Sequence, residues 1–101
     1  LSSEIHAVIL RKGREDVVTY NDRRRINSTG TPAMTGAGTG DVLSGIVAGL
    51  LSKGMTPFDA ACLGAFISGK AGEIAFKERS YGLIATDIID SIPSVLKTYL
   101  E

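Results

Sequence analysis

The sequence predicts an α/β fold in which a β-hairpin is followed by helices, and three observations carry that expectation. β-forming residues concentrate ahead of residue 28: Ile5 to Leu10 reads Ile-His-Ala-Val-Ile-Leu, and Asp16 to Tyr20 reads Asp-Val-Val-Thr-Tyr. Composition then changes from Ser28 to Gly40, a stretch with four glycines, four threonines and no charge. After it the period becomes helical, with Val42, Leu43, Ile46, Val47, Leu50 and Leu51 forming one continuous apolar face.

Taken in order, the nearly continuous apolar run Ile5–Leu10 suits a strand buried on both faces of an α/β sheet. Arg11-Lys12-Gly13-Arg14 makes a turn into the second strand, Asp16–Tyr20, and Asn21-Asp22 marks the next turn. Arg23–Asn27 reads as a short third strand at a sheet edge, with Ile26 its only large apolar residue. The first helix begins after the glycine-rich loop and ends at Gly54, a C′ residue. Gly45 and Gly49 lie inside it, one turn apart, at a cost of about 1 kcal/mol each relative to Ala, so another backbone is expected to pack closely there. Thr56-Pro57-Phe58-Asp59 supplies an N-cap, a first-turn proline and an acidic third position for a second helix reaching about Glu78. Ser80-Tyr81-Gly82 interrupts the pattern; Thr86-Asp87 caps a short third helix through Ile92, and Pro93 starts a last one through Leu100.

With 101 residues, 44% of them hydrophobic and 22% charged, the chain has the composition of one globular unit. Eleven basic and eleven acidic residues leave no net charge, which removes any global field toward nucleic acid or an anionic membrane. A single cysteine, Cys62, excludes an internal disulfide and a multi-thiolate metal site, and it points to a reducing, cytoplasmic location. No apolar run reaches the roughly 18 residues of a membrane span. The chain starts at Leu1 and enters a β-like run at once, and a lone hairpin would leave a sheet edge bare. Residues 1–101 are therefore expected to be the C-terminal part of a single catalytic domain whose N-terminal part lies elsewhere.

Gly36-Ala37-Gly38-Thr39-Gly40-Asp41 lies directly ahead of the strongest helix. A helix N-terminus leaves backbone N–H groups unpaired and carries roughly half a positive charge, so it favours an anion. Glycines remove side chains from the approach path and let amides converge on phosphate oxygens. No Gly-Lys-Ser/Thr follows, which excludes a P-loop, and a hairpin with a long loop replaces the single βα turn of a dinucleotide fingerprint. Asp41 stands where a carboxylate would repel a bound anion. Position alone leaves two readings for it, a helix-capping residue or a general base kept ionised by the helix terminus.

Asn27-Ser28-Thr29-Gly30-Thr31-Pro32-Ala33-Met34 and Gly38-Thr39-Gly40-Asp41-Val42-Leu43-Ser44-Gly45 resemble the ADP/ATP-dependent NAD(P)H-hydrate dehydratases of the ribokinase-like superfamily. The likeness extends to Ile9-Leu10-Arg11-Lys12-Gly13 and to Gly82-Leu83-Ile84-Ala85-Thr86-Asp87. It implies a three-layer α/β/α fold and a hydro-lyase that restores hydrated NADH and NADPH. In that chemistry the hydroxyl of the hydrated nicotinamide is transiently phosphorylated by ADP or ATP and then eliminated, with Mg²⁺ arriving on the nucleotide. Carried over by position, Lys12, Gly13, Arg14, Glu15 and Asp16 hold the nucleotide, with Gly38, Thr39 and Gly40 at its phosphates. Asp41 becomes the catalytic base at the hydrated nicotinamide, where Asn27 and Thr29 either contact substrate or tie down the turn. The chain departs from the family where Ala33 and Ala37 replace common glycines. A small-molecule kinase of the same superfamily is the alternative, and a nucleotide-binding module without chemistry is a third reading.

Other features read as structural. Arg23-Arg24-Arg25 is a solvated edge run, His6 and Cys62 are packing residues, and no His/Cys/Asp cluster offers a protein-bound metal site. Lys70 and Glu73 make a surface pair. The small residues Gly64, Ala65, Ser68 and Gly69 offer a close-packing surface either to a neighbour in the same chain or to a second subunit of a homo-oligomer.

Overall fold

The computed structural model describes residues 7–35 and 38–99. The expectations for Ile5, His6, Gly36, Ala37 and Leu100 lie outside them. Three strands, β1 (Ile9–Arg11), β2 (Asp16–Tyr20) and β3 (Arg23–Asn27), form an antiparallel sheet in the order β1-β2-β3. Leu10 opposes Val18 and Val17 opposes Ile26, so alternate residues of all three strands share a face. Asn21, at a left-handed φ of 51°, closes the two-residue turn between Tyr20 and its partner Arg23.

Three helices follow: α1 (Thr39–Ser52), α2 (Pro57–Arg79) and α3 (Ala85–Tyr99), with 3-10 turns at Pro32–Thr35 and Ser80–Gly82. The Thr56 hydroxyl accepts the Asp59 N–H at 3.3 Å and Pro57 takes the first helical position, so α2 starts as its sequence requires. At the end of α1 the Gly54 N–H bonds the Leu51 carbonyl at 3.0 Å. Two expectations are corrected. The first helix begins at Thr39, inside the glycine-rich run. The two short C-terminal helices are one, α3, with Pro93 inside it. The carbonyl that Pro93 leaves without an amide partner belongs to Ile89, which is 48% exposed, so water can satisfy it and the helix continues. At its start, Asp87 reaches back to the Ile84 N–H at 2.8 Å, as the third residue of a capping box does.

α2 is the spine, packed against the sheet on one side and against α1 and α3 on the other. One core lies between the helices around Val42, Ile67, Ala71, Ile88 and Val95; a second, built from Val18, Phe58 and Ala61, seals the sheet onto α2. Burying Ile67, Ile88, Val95 and Val18, each under 2% exposed, contributes about 1.5–3 kcal/mol apiece. The expected burial of the first strand on both faces is not met within the described residues: Ile9 and Leu10 are half-buried and Arg11 is exposed. Arg23, Arg24 and Arg25 are all exposed as predicted, and Arg23 also lays its guanidinium 4.1 Å above the Phe58 ring.

Candidate phosphate-binding cleft

The cleft is built where the β1–β2 turn, the loop after β3 and the first turn of α1 meet above α2. Its volume is about 910 Å³. Lys12, Gly13, Arg14 and Asp16 form one wall, Thr29, Gly30 and Thr31 a second, and Thr39 the end; Ser68 and Gly69 of α2 line it too.

The N-terminus of α1 is shaped for an anion. Gly38 occupies the N-cap with φ 90° and ψ −12°, a left-handed conformation that a side chain would strain, and it supplies no side-chain cap. The first helical bond runs from Val42 N–H to Gly38 C=O at 3.1 Å, so the amides of Gly40 and Asp41 precede the intrahelical ladder. A methyl group built on Gly40 would lie 3.7 Å from the Lys12 ammonium. A lysine charge and the positive end of a helix dipole thus converge on one point, an arrangement that favours phosphate.

Hydrogen bonds hold the two walls together. The Gly13 N–H donates to Asp16 Oδ1 at 3.4 Å, which folds the turn carrying Lys12. The Asn27 side-chain amide spans Asp16 Oδ2 at 3.5 Å and the Ala65 carbonyl at 3.2 Å. Thr29 Oγ1 lies 3.1 Å from Asn27 Oδ1 and 3.3 Å from the Phe66 carbonyl, between which its single proton is divided. Helix α2 accommodates this contact because residue 69 is glycine: an added methyl would overlap Thr29, 2.6 Å from its carbonyl carbon. Met34 seats its thioether over Gly72 in the same way.

Of the residues singled out in the sequence, the structure brings Lys12, Gly13, Arg14, Asp16, Thr29 and Thr39 to the cleft surface. Glu15 is exposed on the turn, and Asn27 lies behind the wall with its amide already engaged. Asp41 is exposed on the first turn of α1, beside a second groove of about 450 Å³ that Lys12, Gly40 and Ser44 border. The pairing of Gly30 with Glu73 was not legible in the sequence. The Gly30 N–H donates to Glu73 Oε2 at 2.9 Å across 43 residues, and the only local signal was the Lys70–Glu73 pair, present at 3.4 Å. Among the described residues no group of three or more His, Cys, Asp or Glu side chains could hold a metal ion.

Comparison with known proteins identifies the family to which the chain belongs. The Carb_kinase family, described as NAD(P)H-hydrate dehydratase, matches residues 1–94. The chain is 49% identical over 96 residues to the bifunctional NAD(P)H-hydrate repair enzyme Nnr of Methanothermobacter thermautotrophicus, a match spanning 95% of this chain and 18% of that protein. It is 48% identical to the ADP-dependent (S)-NAD(P)H-hydrate dehydratase of Haloterrigena turkmenica, across 95% of this chain and 37% of the relative. The ADP/ATP-dependent NAD(P)H-hydrate dehydratase of Bacillus subtilis, co-crystallised with ATP/Mg²⁺, superposes with a TM-score of 0.88 at 30% identity, covering 96% of this chain and 36% of its own. The chain therefore spans between about a fifth and two fifths of the relatives it matches. Its α/β fold is theirs, and it belongs to the NAD(P)H-hydrate dehydratase family.

Proposed function

We propose that this chain is the C-terminal part of a dehydratase domain that returns hydrated NADH and NADPH to NAD(P)H at the expense of ADP or ATP. The observation that carries the reading is the Lys12 ammonium standing beside Gly40 in the first turn of α1, whose N-cap Gly38 supplies no side-chain cap, with Lys12 itself lining a cleft with room for a nucleotide. Lys12 and the α1 amides hold phosphate, and Gly13, Arg14, Thr29 and Thr39 border the nucleotide. Asp41, exposed one residue beyond Gly40, takes the proton from the reacting hydroxyl of the hydrated nicotinamide.

The open side of α1, where Asp41 and Ser44 are exposed, is where the rest of the domain completes the substrate pocket. Among the described residues Asp16 is the one carboxylate on the cleft wall, and it is engaged by Gly13 and Asn27, which fits Mg²⁺ that would arrive on the nucleotide. A cytoplasmic location and a homo-oligomeric assembly belong to the same reading. No described helix is long and apolar enough to cross a membrane.

The test is the return of NADH absorbance when the intact protein meets hydrated NADH, Mg²⁺ and ADP or ATP. Nucleotide-dependent recovery is expected, and Lys12→Ala should raise the nucleotide KM about tenfold through loss of one charge-assisted contact. Phosphate transfer to another small molecule, with no recovery of NADH, would replace this reading with a kinase.

A further inference from the structure

Glu73 lies on α2, outside the residues assigned to nucleotide or substrate, yet it touches the loop that leads to the phosphate site. We propose that Glu73 is a positioning residue: its carboxylate fixes the peptide between Thr29 and Gly30 and thereby sets the wall against which the nucleotide binds. The proposal rests on the reading of this cleft as a nucleotide site.

The contact is a short, charge-assisted one. The Gly30 N–H reaches Glu73 Oε2 at 2.9 Å, whereas the Lys70 ammonium sits 3.4 Å from Oε1. An exposed i,i+3 pair of this kind contributes little by itself, since both side chains remain about a third exposed. A bond from the same carboxylate to a loop amide 43 residues away does something an ion pair cannot, because it orients a planar peptide unit. Gly30 and Thr31 line the cleft, and the Thr31 carbonyl accepts the Met34 N–H at 3.0 Å to start the 3-10 turn on the way to α1. The loop is pressed to α2 at three successive places: Thr29 over Gly69, Met34 over Gly72, and the Gly30 amide on Glu73. The first two are packing contacts; direction comes from hydrogen bonds, the Thr29 hydroxyl on the Phe66 carbonyl behind the peptide and the Gly30 amide on Glu73, the shorter and charge-assisted one.

Lys70 has a part in the same device. A bare carboxylate at the edge of a phosphate site would repel the ligand, and Lys70 compensates it from the side away from Gly30. Its ammonium is further held over the rings of Phe66 and Tyr99, 5.8 and 5.7 Å from their centroids.

The experiment is a titration of the intact protein with Mg²⁺·ATP and Mg²⁺·ADP by calorimetry, alongside kcat and KM for NADH recovery, in four variants. Glu73→Ala is expected to weaken nucleotide binding about tenfold, the size of one lost charge-assisted bond, with a smaller effect on kcat. Glu73→Gln keeps an acceptor oxygen and should bind within about twofold of the wild type. Glu73→Asp withdraws the acceptor by one methylene and should fall between the two; with Glu73→Gln it carries the test if Glu73→Ala does not fold. Lys70→Ala leaves the loop bond but bares the charge, so a loss of about twofold, largest at low salt, is expected. Wild-type affinity in Glu73→Ala or Glu73→Asp, with only a lower melting temperature, would overturn the proposal, as would Glu73→Gln binding as weakly as Glu73→Ala. A wild-type protein that binds ATP but restores no NADH would sink the dehydratase reading while the affinities of the variants still decide the role of Glu73. Absence of nucleotide binding in the wild type would overturn both.

Discussion

Helices α1 and α2 both carry glycines in their interiors, and the two sets do opposite things. A methyl group on Gly64 would meet Val47 Cγ2 at 2.6 Å, and methyls on Gly69 and Gly72 would run into Thr29 and Met34. A methyl on Gly45 or Gly49 meets nothing within 4 Å. The close neighbour expected along α1 is therefore not found among the described residues, and the one beside α2 is the chain itself. A helical glycine marks a place where backbones approach only when something lies there to approach. In α2 the missing side chains let a helix and the loop after β3 lie flat on its surface. In α1 the open stripe adjoins Asp41 and belongs to the side on which the proposed remainder of the domain sits.

The comparison breaks most readily at Gly69. Gly69→Ala forces the Thr29 backbone off the helix and should cost about 3 kcal/mol, seen as a lower urea midpoint, because a main-chain atom cannot swing away. Gly72→Ala meets a flexible thioether instead and should cost about 1 kcal/mol. Equal losses at the two sites would mean that the loop is free to lift. At Gly38 the strain is of another kind: φ is 90° and an added methyl stands 3.1 Å from Ala85 Cβ, so Gly38→Ala should lose about 1–2 kcal/mol together with nucleotide affinity. Gly45→Ala and Gly49→Ala go the other way, each adding about 0.5–1 kcal/mol of stability to the 101-residue chain by thermal melting. A loss from those two substitutions in the intact protein would locate the segment that covers α1.

The smallest effect is on pH. Burial raises the Cys62 thiol, with Arg25 opposing the shift, and Glu73, followed by Tyr99, raises Lys70. Both groups hold their protons longer in the folded state than in the unfolded chain. Their effect on stability is constant below the ordinary thiol and ammonium values, and stability falls as pH rises through the alkaline range toward the raised ones. The Lys70 part is solvent-screened and should fade with salt. Melting temperatures between pH 8 and pH 11, as rough bounds, would register the decline, and Cys62→Ala should flatten it.

Local chemistry made most of the fold legible. β-branched alternation gives β2, Thr56-Pro57 starts α2, and the apolar stripe of α1 is met by Val42 and Leu43 in the buried core. What sequence order concealed was decided by exposure and by distance. Pro93 reads as a break, but the carbonyl it strands belongs to Ile89, a half-exposed residue, and α3 runs on. The Lys12 turn and the Gly-Asp helix start are visible as separate motifs; that the ammonium of one reaches Gly40 of the other depends on the sheet packing against α2. Asn27 and Thr29 could be recognised as loop residues, but their partners, the Ala65 and Phe66 carbonyls, are main-chain atoms that no residue type announces. Glu73 looks like half of a surface pair until Gly30 is folded onto it.

The most direct test of the central claim separates binding from chemistry at one carboxylate. The intact protein and Asp41→Asn would be compared for Mg²⁺·ATP affinity and for nucleotide-dependent recovery of NADH from its hydrate. If Asp41 is the base beside a phosphate site built by Lys12 and α1, the substitution abolishes recovery while nucleotide affinity stays the same or improves, because a negative charge next to the phosphates is removed. Recovery at the wild-type rate in Asp41→Asn would contradict that account and leave Asp41 as no more than the acidic residue of a helix's first turn.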